Sequence, residues 1–597
     1  MRRRAQLGLV ALAATAGGGA WGVTLWQYLH PPLGPSLRAM LARAGGLDEE
    51  AVSVGSARLG WPLTLEARDV ATGEWAAAHI AVDVDPWAAL GGARRIARVR
   101  VERLATELGT VGEVEATSAH GHARVALRHV TATLPPEHWL GGLGLAIDEV
   151  GLETEGGGLK RLAFAGARLW GVGELAGAAT RAPDGSWLVR AARPGVTVTA
   201  RLDHDGADGQ ARLERLAIGE WAAAHGLPVG GAATATGTIV FGADASGAQA
   251  KVRVDLGGVT IDSPSVAPRP IGNLEASVDG EVGWSGGAVI ARGLGVRVGK
   301  TRLVLDGSAA PGGPFDMTAA LPKMACADLL ASLPHALVPH LDGLVVDGEI
   351  AGRVQLSGDT DDPETLALDV SGVNGCHARA DAPLADVASL VRADAPALVG
   401  HTVEGRPLPL TSKNPSWRAL DSLPPSVVRA FLVAEDGRFF VHHGFDVDRI
   451  GHALAADLDA GKFDRGASTI SQQVAKNLWT GGERTVGRKL EEAVLTWRLE
   501  QVLDKRRILE LYLNLVELGP GVYGIQDASE RYFGKLPDEL SADEAAQLAA
   551  LLPAPRRGMD AFWQRRYRAL AARMPSEHVV MPAPPVAQNP PVKLSRR

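Results

Sequence analysis

The chain has 597 residues, which is too long for one hydrophobic core and predicts roughly two to four domains. Its composition, 46% hydrophobic and 22% charged, is that of a globular protein. The formal net charge of −7 argues against a general nucleic-acid-binding protein, so we expect no nucleic-acid partner. Two cysteines, Cys326 and Cys376, are too few for a disulfide scaffold. An exported chain would allow them to pair, and the sequence leaves this open.

The first 30 residues predict a membrane anchor. Arg2, Arg3 and Arg4 precede an uncharged, largely apolar stretch at 5–29, which is long enough to cross roughly 30 Å of hydrocarbon as a helix. A cleaved signal peptide is the alternative, because the small residues at 11–20 are compatible with a cleavage site. The apolar run continues beyond that site, which favours a retained anchor. The arginines would then stay cytoplasmic, and everything after the anchor would lie in the periplasm.

Residues 31–391 predict a β-rich periplasmic region. Runs such as KVRVDLGGVTID (251–262) and RLVLDGS (302–308) alternate apolar and polar residues, and Gly, Asp and Pro clusters separate them. The segments 87–108 and 341–372 resemble the repeating signature of AsmA-like envelope proteins. This resemblance implies a long curved β-sheet with an apolar groove that handles lipid. A β-rich spacer without a ligand is the alternative.

The sequence changes character after residue 391. Residues 392–416 are rich in turn formers and predict a linker, whereas residues 417–580 predict helices. Residues 581–597 are rich in proline and predict a disordered tail. The helical region therefore has boundaries that the composition alone defines.

The segment 423–446 places two carboxylates in an unfavourable position. Apolar residues at helical spacing predict a helix that stops at Gly437, so Glu435 and Asp436 fall at its C-terminus. The helix macrodipole disfavours negative charge there. A glutamate with a raised pKa is a competent general base near neutral pH. The alternative is a solvated acidic pair that costs a few tenths of a kcal/mol, on the order of 0.3.

Two further helices carry polar side chains on one face. Thr469 and Gln472 have capping-box spacing, and Ser468, Gln472 and Lys476 follow at four-residue intervals. Such a row can bind a sugar and a phosphate, or it can be an ordinary solvated face. In the next helix, Arg488, Lys489 and Glu492 lie opposite an apolar stripe. This group is either a phosphate-binding cluster or an i,i+4 salt bridge of about 0.2–0.5 kcal/mol.

Taken in order, these segments resemble the glycosyltransferase domain of class A penicillin-binding proteins and their monofunctional relatives. The first motif of that family is present as Glu435, Asp436, Phe439, His442 and Gly444. The second is present as Gly466, Ser468, Thr469, Ile470, Gln472, Gln473, Lys476 and Asn477. The third is Arg488, Lys489 and Glu492, and the later motifs lie at 508–514, 521–535 and 541–555.

The resemblance implies a mainly α, lysozyme-like domain that polymerises lipid II. The 4-hydroxyl of an acceptor lipid II attacks C1 of the growing chain and displaces undecaprenyl pyrophosphate with inversion. Glu435 corresponds to the catalytic base and Glu492 to a second catalytic glutamate, which would hold the cationic cluster or a divalent cation, Mg²⁺ or Mn²⁺. The remaining motif residues are expected to bind substrate, namely Asp436, Phe439, His442, Ser468, Thr469, Gln472, Gln473, Lys476, Asn477, Arg488 and Lys489.

The predicted fold class is therefore multidomain. It comprises an N-terminal transmembrane helix, a β-rich AsmA-like region and a C-terminal mainly α glycosyltransferase domain at the inner membrane. The expected partners are lipid II, the nascent glycan strand, the membrane and a separate transpeptidase, because the sequence contains no Ser-x-x-Lys motif. A non-catalytic envelope protein that binds lipid or glycan is one alternative. A lytic transglycosylase is another, which the phosphate-facing cations argue against.

Overall fold

The structure is a computed structural model. It describes residues 38–39, 42, 49–60, 64–72, 75–84, 96–106, 109–119, 122–133, 144–155, 158–169, 174–391, 414–459, 466–482, 485–574 and 592–594. The predicted anchor at 1–30 lies outside the described residues, as do most of the predicted linker and most of the predicted tail. Among the described residues, no helix combines the length and the apolar character that crossing a membrane requires.

Strands dominate the described part of the chain N-terminal to residue 381. They are β1 (Ser53–Gly60), β2 (Thr64–Ala71), β3 (Trp75–Val84), β4 (Ile96–Thr106), β5 (Gly109–Ala119), β6 (His122–Thr133), β7 (Gly144–Glu155), β8 (Gly158–Leu169), β9 (Glu174–Arg181), β10 (Trp187–Arg193), β11 (Val196–Leu202), β12 (Gly206–Ala217), β13 (Val229–Gly230), β14 (Thr234–Asp244), β15 (Gly247–Ile261), β16 (Ile271–Ser285), β17 (Ala288–Val298), β18 (Thr301–Ala309), β19 (Pro314–Ala325), β20 (Val345–Asp347), β21 (Glu349–Asp359), β22 (Asp362–Asn374) and β23 (His377–Ala380). Three short strands follow, β24 (Glu517–Gly519), β25 (Val522–Tyr523) and β26 (Val592–Leu594).

The α-helices of the described residues lie mainly in the C-terminal part of the chain. They are α1 (Gly219–Ala224), α2 (Cys326–Ala331), α3 (Pro425–Glu435), α4 (Val447–Asp459), α5 (Ile470–Ala475), α6 (Val486–Val502), α7 (Lys505–Leu515), α8 (Gly524–Phe533), α9 (Ala542–Ala549) and α10 (Ala561–Ala572). A π-helical turn, Lys476–Thr480, continues directly from α5.

The chain divides into two compact units. The first comprises 1–225, 234–255 and 281–286. In it, β1 to β12 pair with their sequence neighbours in antiparallel fashion, and β14 pairs with β12. Alternate residues of the central strands, such as Val101, Val114 and Val125, are buried on one face. This is the outcome that a two-residue apolar period predicts.

The second compact unit comprises 226–233, 256–280 and 287–597, and it combines strands with helices. β17, β18, β19, β21 and β22 form an antiparallel series, and α4 packs against β22 with Gly451 facing Leu368. Phe431, Phe439 and Tyr512 from the helical part are almost fully buried. The same core contains Leu341 and Leu390, which lie N-terminal to the predicted helical domain.

The predicted fold class is wrong for this chain. Strands account for 49% and helices for 29% of the described residues, so a large antiparallel sheet dominates. The C-terminal compact unit is not a separate, mainly α domain, because β17 to β23 and the helices belong to one unit and residues before the predicted linker contribute to its core. The periodicity of a sequence identifies strands and helices, but it does not tell which of them share a core.

A disulfide bond joins Cys326, at the start of α2, to Cys376, between β22 and β23. Their Cα atoms are 5.7 Å apart, within the normal range for a disulfide, and both residues are buried. The two cysteines are separated by 50 residues in the sequence. Their pairing, which the sequence leaves open, is therefore present in the fold.

Reduction of this disulfide is expected to lower the free energy of unfolding by about 3–4 kcal/mol, because the bond restricts the unfolded chain over a long loop. Urea unfolding followed by tryptophan fluorescence, with and without reductant, measures the difference. The double variant Cys326→Ser, Cys376→Ser should match the reduced protein and should not respond to reductant. Equal stability of the oxidised and reduced protein would contradict the expectation.

Candidate active site

Glu435 is the last residue of α3, and its carboxylate is held from several directions. Gln473 Nε2 donates a hydrogen bond to Glu435 Oε2 at 2.7 Å, and Arg566 Nη2 lies 3.9 Å from Oε1. Arg449 donates to the backbone carbonyl of Glu435, so the C-terminal end of α3 is satisfied by a cation, as the helix dipole favours. The side chain of Glu435 is 13% exposed. It therefore lies in a largely enclosed position that a substrate can still reach.

Burial raises the pKa of Glu435 above its ordinary value of 4.5. The hydrogen bond from Gln473 and the charges of Arg449, Arg566 and Lys476 act in the opposite direction, because they favour the carboxylate. The net shift is upward, so desolvation is the larger effect. A carboxyl group of this kind accepts a proton more readily than a solvated glutamate does.

Asp436 has a different environment from its neighbour Glu435. It is 2% exposed, and both of its oxygens lie 3.0 Å from Nε2 of His442. Its Oδ2 also accepts a hydrogen bond from the backbone N–H of Ile470 at 3.0 Å. Ile470 is the first residue of α5, where N–H groups lack partners within the helix. The contacts of Asp436 thus fix the start of α5 against the end of α3.

The start of α5 has the capping box that the sequence predicts. Thr469 Oγ1 accepts from the N–H of Gln472, and Gln472 Oε1 accepts from the N–H of Thr469. The hydroxyl of Thr469 also donates to the carbonyl of Gly444 at 2.6 Å. Gly444 has φ of 87°, and an added Cβ would lie 3.0 Å from the side chain of Thr496, so a glycine fits best here.

Glu492 forms the centre of a buried charge cluster. Its side chain is 1% exposed, and Oε2 accepts from Arg488 Nη1 at 2.6 Å. Oε1 accepts from Lys489, whose ammonium also donates to Ser468 Oγ at 3.0 Å. Two cations on the same helix thus compensate one buried carboxylate, as an ionised group away from water requires. The i,i+4 salt bridge between Arg488 and Glu492 that the sequence offers as an alternative is therefore present, with its carboxylate buried, and the binding of phosphate by this cluster stays a prediction.

Adjacent glutamines of α5 connect the two glutamates. Gln473 donates to Glu435, and Nε2 of Gln472 lies 3.5 Å from Oε1 of Glu492. Lys476 follows in the π-helical turn, and burial lowers the pKa of its ammonium, while Glu492 and Glu435 raise it. Among the described residues, the ammonium of Lys476 forms no hydrogen bond or ion pair, so its charge is available to a ligand.

The remaining predicted site residues divide between core and surface. Phe439 is fully buried, and Lys505 Nζ lies 4.3 Å above its ring, so the ring supports the fold. His442 is buried against Asp436. Asn477 lies partly exposed in the π-helical turn beside Lys476. The assignment of these three residues to substrate binding stays a prediction.

Three residues beside Glu435 are absent from the sequence-based site. Arg449 and Arg566 come from α4 and α10, and no local pattern indicates that they approach Glu435. Tyr512 on α7 is fully buried, and its hydroxyl finds no hydrogen-bond partner among the described residues. Burial, with Glu435 and Asp436 nearby, raises the pKa of Tyr512 well above 10, so it remains a neutral phenol. Its position within the motif at 508–514 is the signal that would have pointed to it.

The surroundings of Glu492 do not fit a divalent cation. Both of its oxygens already accept hydrogen bonds from Arg488 and Lys489, and a metal there would lie next to two positive charges. In the described part of the chain, one group of carboxylates and histidine is close enough to share an ion, namely the exposed Asp203, His204 and Asp205. The need for Mg²⁺ or Mn²⁺ stays a prediction.

A family model described as Transglycosylase matches residues 404–575. The chain is 50% identical over 140 residues to a biosynthetic peptidoglycan transglycosylase of Chromobacterium violaceum, covering 24% of this chain and 61% of the relative. The corresponding protein of Alcanivorax borkumensis is 43% identical over 185 residues, covering 29% of this chain and 76% of the relative. Penicillin-binding protein 1A of Escherichia coli is 40% identical over 200 residues, covering 32% and 23%.

This chain thus spans about three fifths of the length of the first of these relatives. The predicted resemblance to peptidoglycan glycosyltransferases is confirmed for the C-terminal part. The AsmA-like resemblance of residues 31–391 stays a prediction. The matched region contains both glutamates and all of the cations around them.

Asp436→Ala is expected to lower the free energy of unfolding by about 2–4 kcal/mol, because it leaves the N–H of Ile470 and the ring of His442 without their acceptor. Chemical denaturation of the full chain measures this change. Asp538→Ala, at an exposed position, is the matched control and should stay within about 0.5 kcal/mol of wild type. Wild-type stability for Asp436→Ala would instead favour a role in substrate binding alone.

Proposed function

Because the chain belongs to the transglycosylase family, we propose that it is a peptidoglycan glycosyltransferase that polymerises lipid II into glycan strands. The observation that carries the proposal is the arrangement around α5. This helix connects a buried glutamate with a raised pKa to a second glutamate that is surrounded by cations. The first group suits proton removal, and the second suits a phosphate-bearing leaving group.

Glu435 acts as the general base in this proposal. A sugar hydroxyl is a weak nucleophile, so its proton has to pass to a positioned base as the new bond forms. Gln473 orients the carboxylate through Oε2, which leaves Oε1 for the 4-hydroxyl of the acceptor. The C1–O bond to undecaprenyl pyrophosphate breaks as the 4-oxygen bonds to C1 from the opposite face, with inversion.

The cationic cluster stabilises the departing pyrophosphate. Lys476 and the exposed part of Lys489 present positive charge without a reorganisation of the helices. Glu492 keeps Arg488 and Lys489 in place, because its buried carboxylate accepts a hydrogen bond from each of them and lies 3.5 Å from Nε2 of Gln472. Pyrophosphate is a good leaving group once its charge is neutralised, so the reaction has less need of a general acid than glycoside hydrolysis has.

We also propose that the protein acts on the exported side of a bacterial inner membrane. The buried disulfide between Cys326 and Cys376 supports this, because disulfides persist in oxidising compartments. Lipid II and the nascent glycan strand are the substrates in this proposal, and a separate transpeptidase would cross-link the product. An AsmA-like role of residues 31–391 in handling the lipid substrate is part of the same proposal.

Glu435→Gln is expected to abolish lipid II polymerisation, with a loss of about 10²–10⁴-fold, because the amide cannot accept the proton. The assay follows incorporation of labelled lipid II into polymer by purified full-length protein. Glu364→Gln, at an exposed position of β22, is the matched control and should polymerise at the wild-type rate. Shortening of preformed glycan without consumption of lipid II would identify a lytic enzyme instead.

The difference in stability between the wild type and this variant should depend on pH in a defined direction. The folded-state pKa of Glu435 is raised above 4.5, so the folded protein holds this proton more tightly than the unfolded chain. The wild type therefore loses stability relative to Glu435→Gln as the pH rises from about 4.5 through the folded pKa. Urea unfolding of both proteins at several pH values tests this, and a stability difference that does not change with pH would contradict it.

A further inference from the structure

Two different faces of α6 make contacts that matter for the site. One carries Arg488, Lys489 and Glu492, and the other contacts residues at 265–266, 337–340 and 376–381. All of these contact residues lie N-terminal to the part of the chain that matches the transglycosylase family. They belong to the same compact unit as α6. The helix that holds the cationic cluster is thus supported by a segment that the family match does not include.

The N-terminus of α6 is capped by a loop of this segment. The N–H groups of Val486 and Gly487 donate to the carbonyls of Ser265 and Val266, each at 2.9 Å. The N–H groups of the first helical turn have no partners within a helix, so partners outside it fix where the helix begins. Thr485 Oγ1 receives the next N–H at 3.1 Å. The axial position of α6 is therefore set by the loop that contains Ser265.

The segment 337–340 approaches α6 so closely that only glycine fits at the second residue of the helix, Gly487. A Cβ added at Gly487 would lie 2.8 Å from both the carbonyl oxygen and Cδ2 of Leu337. One turn later, Glu491 accepts hydrogen bonds from His340, at 2.5 Å from its backbone N–H and at 2.9 Å from Nδ1. Glu491 is almost fully buried. His340 thus donates twice to the buried carboxylate of Glu491, once from its backbone and once from its ring.

The C-terminal half of α6 is held by the disulfide-bonded region. Arg498 Nε donates to Asp381 at 2.5 Å, and Gln501 Nε2 donates to the carbonyl of Cys376 at 2.9 Å. Gly487, Glu491, Arg498 and Gln501 lie on one face of the helix, at the spacing that 3.6 residues per turn requires. The contacts therefore resist rotation of α6 about its axis.

We propose that His340 is a positioning residue of the glycosyltransferase site, which holds α6 in the rotation that presents Arg488, Lys489 and Glu492 to the donor pyrophosphate. Glu491 precedes Glu492 directly in the chain, so a rotation that breaks the contact with His340 also displaces Glu492. This inference rests on the proposed function. It assigns to a residue outside the family match a role in the geometry of the reaction.

The contact between His340 and Glu491 should depend on pH. Among the described residues, Glu491 is the charged group that acts on His340, and its hydrogen bond raises the pKa of His340 above 6.5, with burial opposing. A raised histidine pKa means that the charged contact is complete below about 6.5 and weakens as the pH rises through the folded-state value. The backbone N–H of His340 continues to donate at every pH.

The test compares His340→Ala, His340→Asn and His335→Asn in the full chain. Asparagine offers a donor near the position of Nδ1 but does not titrate, and His335 is an exposed residue of the preceding turn that serves as control. His340→Ala should reduce kcat for lipid II about 10- to 100-fold, with a smaller change in KM. His340→Asn should recover most of this loss. The ratio of wild-type to His340→Asn kcat should fall as the pH rises, and His335→Asn should behave as wild type.

Hydrogen exchange of the α6 amides, measured without substrate, separates this inference from the proposed function. Faster exchange in His340→Ala, but not in His340→Asn or His335→Asn, supports the positioning role. Unchanged exchange in His340→Ala overturns it, and so does an unchanged kcat. A wild-type protein that does not polymerise lipid II would overturn the proposed function, and the exchange data would still decide whether His340 holds α6.

Discussion

The burial of Glu492 is the constraint on which the rest of the site depends. A carboxylate that is 1% exposed is stable only if its lost hydration is replaced by charges and hydrogen bonds. Arg488 and Lys489 provide the charges from the same helix, and Gln472 adds a donor from α5. Because Gln472 also closes the capping box of α5, the position of that short helix and the position of Glu492 are determined together.

Glu435 and Glu492 have different roles because different groups contact their carboxylates. The carboxylate of Glu492 is in contact with two cations, whereas that of Glu435 is in contact with an amide and has Arg566 at 3.9 Å. Desolvation therefore prevails at Glu435 and raises its pKa. A poorly compensated carboxylate is a cost to the fold, and it is also what gives a base its affinity for a proton. Helix α5 thus contacts two carboxylates with different roles: the charge of Glu492 is structural, and that of Glu435 is reactive.

Motifs within a few residues of the sequence predict part of the site well. Contacts between residues that are far apart in the sequence leave no such signal. The capping box of Thr469 and Gln472 and the i,i+4 pair of Arg488 and Glu492 are encoded within four residues, and both are present. Arg449, Arg566 and His340 reach the site or its support from distant positions, and no period or spacing links them to it. The fold class fails for the same reason, since Leu341 and Leu390 join the helical core without any local sign of it.

The core around the helices includes residues from before the predicted linker, so the helical part depends on them. A catalytic domain that began after the predicted linker would lose Leu341 and Leu390 from its core and the carbonyls that cap α6. It would also lose the donors of His340, which would leave the buried carboxylate of Glu491 uncompensated. In this chain the segments 256–280 and 287–391 therefore belong to the same compact unit as the site. A change that unfolds these segments removes the contacts that hold α6, and with them the support of Arg488, Lys489 and Glu492.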